Sequence, residues 1–398
     1  MGYKTYALKG IGDIISGATP KTSEPENFGG DIAWITPADL SGYSEKYISY
    51  GARNLTQKGY DSCSTQLMPP GTVLFSSRAP IGYVAIAKNS VCTNQGFKSV
   101  VPKPWVNSEF LYYQLMYLRK SIQDMGSGTT FKEISGKKFG MVQVRIPPLL
   151  EQKRIVSRIE ELFSQLDASV AELKTAKERL KVYRQEVLKE AFEGDYPQVQ
   201  LKEISTAISG YAFKSKLYTS DGKYVVVKIG NVKERHLEFS RDLTRTNEVN
   251  ETILDKYLLQ RGDCLITLTG SRGKRDYGFV TMIKDQTNYL LNQRVAAIRF
   301  DREKARPEFF QYYLASPVYR NAFFSYETGN VGQGNVGIKA LTEPIVILPD
   351  IEQQWEIVEK IESRLSACDS IEKTVDTALQ QAEALRQSIL KKAFEGKI

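Results

Sequence analysis

The residues best suited to chemistry in this sequence are cations and polar donors in a loop between two strand-like runs. The segment 269–277 reads TGSRGKRDY, and its candidate residues are Ser271, Arg272, Lys274, Arg275 and Tyr277. Arginine and lysine donate hydrogen bonds to guanine edges or phosphates, and hydroxyl groups reach bases or the sugar-phosphate backbone. The segment therefore predicts a contact with DNA, and a solvated hairpin tip is the alternative.

Three further loops have a similar polar or glycine-rich character. Residues 76–80 form a shorter counterpart in the first half of the chain, and the loops at 126–132 and 329–337 occupy equivalent places in the two halves. Their candidate DNA contacts are Ser77, Arg78, Thr129, Thr130, Lys132, Gln333 and Asn335. The alternative is that these loops only connect elements. Asn94-Gln95 recurs as Asn292-Gln293, and a pair shared by both halves favours a structural role over readout of different bases.

Signatures of catalysis are missing from the sequence. There is no Asn/Asp-Pro-Pro-Tyr/Phe tetrapeptide of the amino-methyltransferase kind and no G-x-x-x-x-G-K-[ST] phosphate loop. Residues 332–337 fit G-x-G-x-x-G, but they follow a helical pattern and lead into a strand-like run, the reverse of the dinucleotide-binding context. The single histidine, His236, and four scattered cysteines show no metal-site spacing. The sequence therefore predicts a non-catalytic chain that binds no metal or cofactor of its own.

The net positive charge lies in two segments, which we call head 1 (residues 1–148) and head 2 (residues 196–349). Head 1 has 16 Lys and Arg against 10 Asp and Glu, and head 2 has 22 against 16, so each carries +6. Residues 149–195 and 350–398 carry −1 and −3. Basic surface is typical of proteins with a polyanionic partner, although charge that only maintains solubility is the alternative.

The chain contains an internal repeat with an offset of 202 residues. Residues 191–194, AFEG, recur at 393–396, and Arg184 and Asp167 correspond to Arg386 and Asp369. Glu151-Gln152 matches Glu352-Gln353 with a slip of one residue. The heads match more weakly, so the helical segments are similar while the heads have diverged.

The segments after each head are predicted to be long helices. Apolar residues recur at alternating steps of three and four, which is the seam of a coiled coil, and prolines stand just before each start. A helix of about 40 residues is roughly 60 Å long and needs a partner for its apolar stripe, for which the second helix in antiparallel orientation is the obvious choice. We expect the partner-binding residues to be Ile155, Ile159, Leu166, Leu173, Leu180, Ile357, Ile361, Leu365, Val375 and Leu385.

The heads are predicted to be mixed α/β. Strand-like runs lie at 73–75, 83–86, 224–227, 264–267 and 295–298, with short helices at 108–120 and 307–322. The predicted fold class is α+β, with four domains at 1–148, 149–195, 196–349 and 350–398 and a pseudo-twofold internal repeat. No apolar run is long enough for a membrane span, and the N-terminus lacks the apolar core of a signal peptide, so we expect no membrane partner and a cytoplasmic location.

These motifs resemble a known family. The stretches PPLLEQKRIVSRIEELFSQLD and LPDIEQQWEIVEKIESRLSACD are similar to the head-to-helix junctions of type I restriction-modification specificity subunits. The Ile-Ser-Gly segment near the start of each head and the two AFEG helix ends add to the resemblance, which covers essentially the whole chain. No single motif is decisive, but the duplicated junction at this spacing is highly specific.

The resemblance implies a fold, a function and partners. Each head would be a target recognition domain that reads one half of a split, asymmetric sequence in double-stranded DNA. The paired helices would set the half-site spacing and dock two methyltransferase (modification) subunits, and through them restriction/translocase subunits. The chain itself would be non-catalytic, with S-adenosylmethionine and ATP bound by the partner subunits.

Two other hypotheses remain at this stage. The first is a non-catalytic coiled-coil adaptor that bridges protein partners, which a flat salt dependence of binding to a polyanion would favour. The second is a self-contained methyltransferase, which the missing motifs disfavour.

Overall fold

The computed structural model of the chain describes residues 3–78, 80–128, 132–240, 242–247, 249–285, 288–329 and 332–398. The chain divides into two compact units, Met1–Leu173 with Thr377–Ile398 (unit 1) and Lys174–Asp376 (unit 2). Each unit contains one head, the start of one long helix and the end of the other. The compact units therefore divide the chain differently from the four predicted domains, because the helices are shared between them.

Unit 1 is built on a five-stranded sheet in head 1. Its strands run in the order Gly12–Ser16, Lys98–Pro102, Val73–Phe75, Val84–Ala87 and Tyr47–Ile48, and all pairs are antiparallel except the last. The other strands are Lys4–Ala7, which pairs with Gln143–Ile146, Trp34–Ile35, which pairs with Cys92–Thr93, and Phe28–Ile32. The helices of head 1 are Leu8–Ile11, Gln57–Asp61, Ser108–Asp124 and Gly136–Gly140, with 3₁₀ turns at Pro25–Asn27 and Pro37–Leu40.

The helix Ser108–Asp124 covers the sheet of head 1. The side chain of Asn107 caps it by accepting a hydrogen bond from the backbone of Phe110. Phe110, Leu111 and Leu115 are fully buried in a core that also contains residues from both long helices. The helix extends four residues beyond the predicted end at 120.

Unit 2 repeats this plan in head 2. A four-stranded antiparallel sheet runs in the order Ser205–Ser209, Val295–Phe300, Cys264–Thr267 and Val280–Met282. A three-stranded sheet contains Thr269–Gly270, Gly334–Val336 and Glu327–Thr328, and another contains Arg245–Thr246, Tyr224–Val227 and Tyr289–Leu291. The remaining strands are Gln198–Gln200 with Ile345–Ile347, and Val232–Lys233 with His236–Leu237. The helices are Glu251–Tyr257, Pro307–Ala315 and Pro317–Ser325, with 3₁₀ turns at Leu201–Glu203, Ser215–Leu217, Ile229–Asn231 and Ile338–Leu341.

The single helix predicted at 307–322 is two helices. The first ends at Ala315, and the second begins at Pro317 with Ser316 as its N-cap. Proline lacks the backbone N–H that would continue the helix, and its ring disfavours the helical conformation at the preceding residue. The predicted strand runs at 73–75, 224–227 and 264–267 are confirmed.

The first long helix is Leu149–Ala191 and the second is Ile351–Phe394. The second begins with a reciprocal cap, in which Asp350 Oδ1 accepts from the backbone of Gln353 at 2.8 Å and Gln353 Oε1 accepts from the backbone of Asp350 at 3.1 Å. At 1.5 Å per residue these helices are roughly 65 Å long. The predicted helices are therefore confirmed, each ending within a few residues of the AFEG motif.

A buried glutamine ties each head to the helix that follows it. In unit 1, Gln152 accepts from the backbone of Asn107 at 2.7 Å and donates to the carbonyls of Trp105 and Pro147 at 3.0 and 2.9 Å. In unit 2, Gln354 accepts from the backbone of Arg306 at 2.8 Å and donates to Lys304 and Pro349 at 3.0 and 2.8 Å. Gln152 therefore corresponds to Gln354, and the repeat needs no slip at this junction.

Within each unit the two helical segments run antiparallel. In unit 2, Arg184 pairs with Asp369 at 2.6 Å and Glu372 at 2.7 Å, while Arg364 pairs with Glu190 at 2.8 Å. In unit 1, Arg386 pairs with Asp167. The arginines and aspartates that match in the sequence repeat thus form equivalent ion pairs in the two units.

Candidate nucleic-acid interface

The polar loop of head 2 follows the central strand Cys264–Thr267 and ends at Gly278. The Asp276 carboxylate accepts from the backbone N–H of Ser271 at 2.6 Å and from its hydroxyl at 3.0 Å, and these hydrogen bonds hold the pKa of Asp276 below its usual range. The backbone of Arg275 donates to the Ser271 carbonyl at 3.1 Å. Gly278 has φ of +73°, which glycine adopts without strain. The loop is therefore closed by its own hydrogen bonds.

The second polar loop of head 2 lies beside the first. Thr269 and Gly270 pair with Asn335 and Gly334 in one small sheet. Arg272 joins the two loops, because its Nη1 donates to the carbonyl of Gly329 at 2.8 Å. Two segments predicted separately as DNA contacts are thus brought together.

The predicted contacts of head 2 differ in accessibility. Arg272, Lys274, Arg275, Gln333 and Asn335 are exposed, and Ser271 is half-buried. Arg272 also lies 3.8 Å from the Glu327 carboxylate. Within the described part of the chain, no carboxylate lies within 4.0 Å of the Lys274 ammonium. The same holds for the exposed Arg275 guanidinium within the described residues, so Lys274 and Arg275 are both available to an external anion.

The prediction for Tyr277 is corrected by the structure. Its ring is fully buried and lies 5.1 Å from the ring of Phe324, and its hydroxyl donates to Glu327. Burial, together with that hydrogen bond, raises the pKa of Tyr277. The side chain anchors the loop in the core of head 2 and has no surface to offer to a base.

The shorter loop of head 1 occupies the equivalent place. Gly82 donates to the Ser76 carbonyl at 2.9 Å, as Gly278 donates to the Thr267 carbonyl at 3.0 Å in head 2. The backbone of Ser77 donates to Gly96 at 2.7 Å, as Leu268 donates to Arg294 at 2.9 Å. Four residues therefore separate Ser77 from Gly82, and nine separate Leu268 from Gly278.

Ser77 is also corrected, because it is fully buried and occupies the position of Leu268. Arg78 is partly exposed and lies 3.8 Å from the Glu133 carboxylate, which Lys98 also approaches at 3.8 Å. Burial lowers the pKa of Lys98. Lys132 is exposed, while Thr129 and Thr130 lie outside the described residues.

One exposed cation at this surface was missed by the sequence reasoning. Arg294 follows the repeated Asn-Gln pair, and its backbone has φ of +70°, which is uncommon outside glycine. Its carbonyl accepts the hydrogen bond from Leu268 at the start of the loop. The sequence carried one signal, because Arg294 directly follows the Asn-Gln pair that recurs in both heads.

The apolar residues predicted to bind partners lie mostly inside the chain. Ile155, Ile159, Ile357, Ile361 and Leu365 are buried in the head cores together with residues from both helices, and Val375 is buried in unit 2. Leu166, Leu173 and Leu180 are half-buried, and Leu385 is 49% exposed. The six buried side chains have almost no surface left, and five of them pack in cores that the two long helices share with the heads.

Two clefts lie at equivalent positions beside the long helices. In unit 1 a cleft of about 500 Å³ is lined by Leu150, Ile155, Arg158 and Ile398, among others. In unit 2 a cleft of about 330 Å³ is lined by residues that include Ile357, Lys360 and Tyr196, each 202 positions from Ile155, Arg158 and Ile398 respectively. Leu150 is 75% exposed. The repeat thus leaves a similar partly apolar recess in each unit.

The described residues contain no cluster of potential metal ligands. No group of three His, Cys, Asp or Glu side chains among them is placed to hold a metal ion. Residues 334–336 of the G-x-G-x-x-G segment form a strand that is followed by a 3₁₀ turn, so the dinucleotide-binding arrangement is not formed there. Within the same described ranges, no helix has the length and apolar character needed to cross a membrane.

The whole chain is similar in fold to chains in two solved structures. A chain from a structure of type I R-M system assembly has a TM-score of 0.78 at 17% identity, covering 100% of this chain and 98% of that one. The HsdS subunit from Thermoanaerobacter tengcongensis has a TM-score of 0.59 at 18% identity, covering 100% and 97%. At these identities the likeness shows the fold.

Curated relatives cover different shares of the chain. The MjaIX specificity subunit of Methanocaldococcus jannaschii is 46% identical over 152 residues, which are 38% of this chain and 35% of the relative. The EcoKI specificity subunit of Escherichia coli K12 is 28% identical over 70% of this chain and 63% of its own length. The EcoBI specificity subunit of Escherichia coli is 26% identical over 98% of this chain and 85% of its own length.

The family described as "Type I restriction modification DNA specificity domain" matches residues 1–178 and again 193–381. The two matches correspond to the two halves of the internal repeat and together cover most of the chain. The chain therefore belongs to the family of type I restriction-modification specificity subunits.

Proposed function

We propose that this chain is the DNA sequence-recognition subunit of a type I restriction-modification complex, and that each head reads one half of a bipartite, asymmetric target. The observation that carries the proposal is a pair of equivalent loops, one between Ser77 and Gly82 in head 1 and one between Leu268 and Gly278 in head 2. Both follow the central strand of a head, on one backbone hydrogen-bond framework. They differ in length and in exposed side chains, which is what two readers of unlike sequences require.

The charge distribution supports DNA as the ligand. Each head carries +6 while the helical segments carry −1 and −3. Lys274, Arg275 and Arg294 are exposed cations of head 2, and Arg78 and Lys132 are cations of head 1 with exposed or partly exposed side chains. Neutralisation of phosphates by such cations supplies most of the affinity of sequence-independent DNA binding.

The long helices are proposed to set the half-site spacing and to dock partner subunits. The two equivalent clefts beside the helices support docking of two methyltransferase subunits, one for each unit, with restriction/translocase subunits attached through them. Methyl transfer from S-adenosylmethionine and ATP-driven steps would then belong to those partners. We also propose that the chain acts in the cytoplasm, where its DNA is accessible.

Salt dependence of DNA binding tests this proposal against a protein adaptor. The full chain, alone and assembled with a modification subunit, is titrated with a fluorescent duplex of about 40 base pairs at several salt concentrations. Because each phosphate contact contributes a slope of about −0.9 in log K against log salt, a DNA reader gives a steep line. The double variant Lys274→Ala/Arg275→Ala should make this slope less steep by the equivalent of one to two phosphate contacts.

Lys174→Ala is the matched control, because Lys174 is an exposed cation of the first long helix. This control should leave the slope unchanged. A flat line for the wild-type chain in both forms would overturn the proposal and favour the adaptor.

A further inference from the structure

One side chain from a helix of head 2 holds the end of the polar loop. Arg320, on helix Pro317–Ser325, donates through Nη1 to the carbonyl of Gly278 at 2.7 Å. Its Nη2 donates to the carbonyls of Tyr277 at 3.2 Å and Arg275 at 3.5 Å. A guanidinium can do this because its donors form a rigid planar fork. The last four residues of the loop are thus fixed from outside the loop.

Arg320 is an unusual choice for this place on electrostatic grounds. It lies beneath a loop that already has three cations, Arg272, Lys274 and Arg275, and it is half-buried. Burial lowers the pKa of Arg320, and the nearby Glu234 carboxylate opposes that shift. Burial likewise raises the pKa of Glu234. A neutral donor would carry a smaller desolvation cost. What arginine contributes here is therefore the geometry of its three hydrogen bonds to the loop.

The loop end that Arg320 holds is strained. Arg275 has φ of +49°, a left-handed conformation that is unfavourable for residues other than glycine. The Arg275 guanidinium lies 4.8 Å from the centre of the Phe324 ring, and the Arg320 guanidinium lies 5.1 Å from the centre of the same ring. Arg275 is therefore kept in this conformation at both its carbonyl and its side chain. Strain of this kind is typical of residues held ready for a ligand.

Head 1 has a neutral counterpart at the equivalent position. Gln123, on helix Ser108–Asp124, donates to the carbonyl of Ile81 at 2.8 Å. Ile81 immediately precedes Gly82, as Tyr277 precedes Gly278, and both of these residues are buried. Each head thus fastens the same carbonyl from the helix behind it, with one hydrogen bond in head 1 and a fork in head 2.

We propose that Arg320 is a positioning residue for DNA recognition by head 2. It fixes the Arg275–Gly278 end of the loop, so that Lys274 and Arg275 meet one half of the target in a single geometry. Arg320 itself makes no base contact. This inference rests on the proposed function, because it needs head 2 to read a half-site.

The test uses the full chain assembled with its modification subunit. Methylation rates are measured on the matched duplex, on duplexes with one altered base pair in the half-site read by head 2, and on duplexes altered in the other half-site. The variants are Arg320→Gln, Arg320→Lys and, as the matched control in head 1, Gln123→Met. Whichever half-site responds to the loop variant Lys274→Ala is the one assigned to head 2.

We expect Arg320→Gln to lower discrimination at the head 2 half-site by about tenfold, the scale of one specific contact. Discrimination at the other half-site should be unchanged, which serves as an internal control for folding. Arg320→Lys keeps the charge but lacks the planar fork, so it should lose nearly as much. Gln123→Met should relax only the head 1 half-site.

Several results would overturn the inference. Wild-type discrimination in Arg320→Gln, full rescue by lysine, or equal loss at both half-sites would each contradict a positioning role. A loss of about one unit of salt slope with unchanged discrimination would make Arg320 a direct phosphate contact instead. If the wild-type complex itself shows no bipartite preference, the proposed function fails, and the inference about Arg320 fails with it.

Discussion

The loops that follow the central strands of the two heads are anchored at both ends in the same way, but the segments between the anchors differ in length. In head 1 four residues lie between Ser77 and Gly82, and in head 2 nine lie between Leu268 and Gly278. Both ends of each loop make equivalent backbone hydrogen bonds, and a buried residue precedes each glycine. This framework therefore tolerates insertions where they lie between fixed anchors, which is where a specificity can change without a change of fold.

The ends of the long helices, unlike the loops, are similar in the two units. Phe394 packs on Phe110 and Tyr117 in unit 1, with ring centres 5.3 and 5.6 Å apart. Its repeat partner Phe192 packs on Phe309 and Tyr313 in unit 2, at 5.4 and 5.1 Å. Phe394 and Phe192 thus pack on the equivalent phenylalanines Phe110 and Phe309, while their tyrosine partners stand at different positions, so the helix ends keep one shared contact where the loops differ.

The largest effect is expected from removing one of these buried rings. Phe394→Ala should destabilise unit 1 by about 3–5 kcal/mol, because it leaves a cavity in the core of head 1. Phe192→Ala should do the same to unit 2. Hydrogen exchange in increasing denaturant locates each loss, and Leu150→Ala, at a 75% exposed site, is the control with little effect. If either variant lost the same stability in both units, the two phenylalanines would not each stabilise their own unit.

A smaller effect is expected at the glycine that closes the head 2 loop. At Gly278 a Cβ would lie 3.1 Å from a carbon of the Phe323 ring and 3.3 Å from Arg320 Nη1, whereas at Gly273 nothing lies within 4 Å. Both residues have positive φ, so each alanine variant should lose about 1–2 kcal/mol from backbone strain. Gly278→Ala should lose more, as measured by thermal unfolding and local exchange. If the two variants lost the same stability, the residues around Gly278 would have moved to accept the added Cβ, and the end of the loop would not be tightly fixed.

The smallest effect is expected for the ion pairs between the helices. Because Arg184 and Asp369 are partly exposed, a double-mutant cycle should give a coupling of about 0.5–1 kcal/mol that falls at high salt. The cycle for Arg386 and Asp167 should give no more than this, since Arg184 also pairs with Glu372. A coupling that is insensitive to salt would contradict a solvent-screened pair.

Much of the fold could be predicted because its signals are local or repeated. The 202-residue offset, the prolines before the helices and the three-four spacing predict two long helices, and these are confirmed. The end of the first helix at Ser316 could also have been predicted from the sequence, since Pro317 cannot continue a helix. The slip proposed at Glu151-Gln152 was wrong, because the buried hydrogen bonds place Gln152 and Gln354 at the same junction.

The candidate site was harder to predict, because sequence spacing does not tell which side chains of a loop face inward. Tyr277 and Ser77 looked like polar contacts but occupy core positions. The role of Arg320 has no local signal, since the carbonyls to which its side chain donates lie more than 40 residues away along the chain. Such contacts depend on the packing of a helix against a loop, which only the folded chain specifies.

The proposal that each head reads its own half-site is tested most directly by mapping methylated bases in DNA from cells that co-express this chain with its modification subunit. Two heads with unlike loops predict a single split motif, with two different halves separated by a gap of fixed length. A continuous palindrome, or two identical half-sites, would contradict the account.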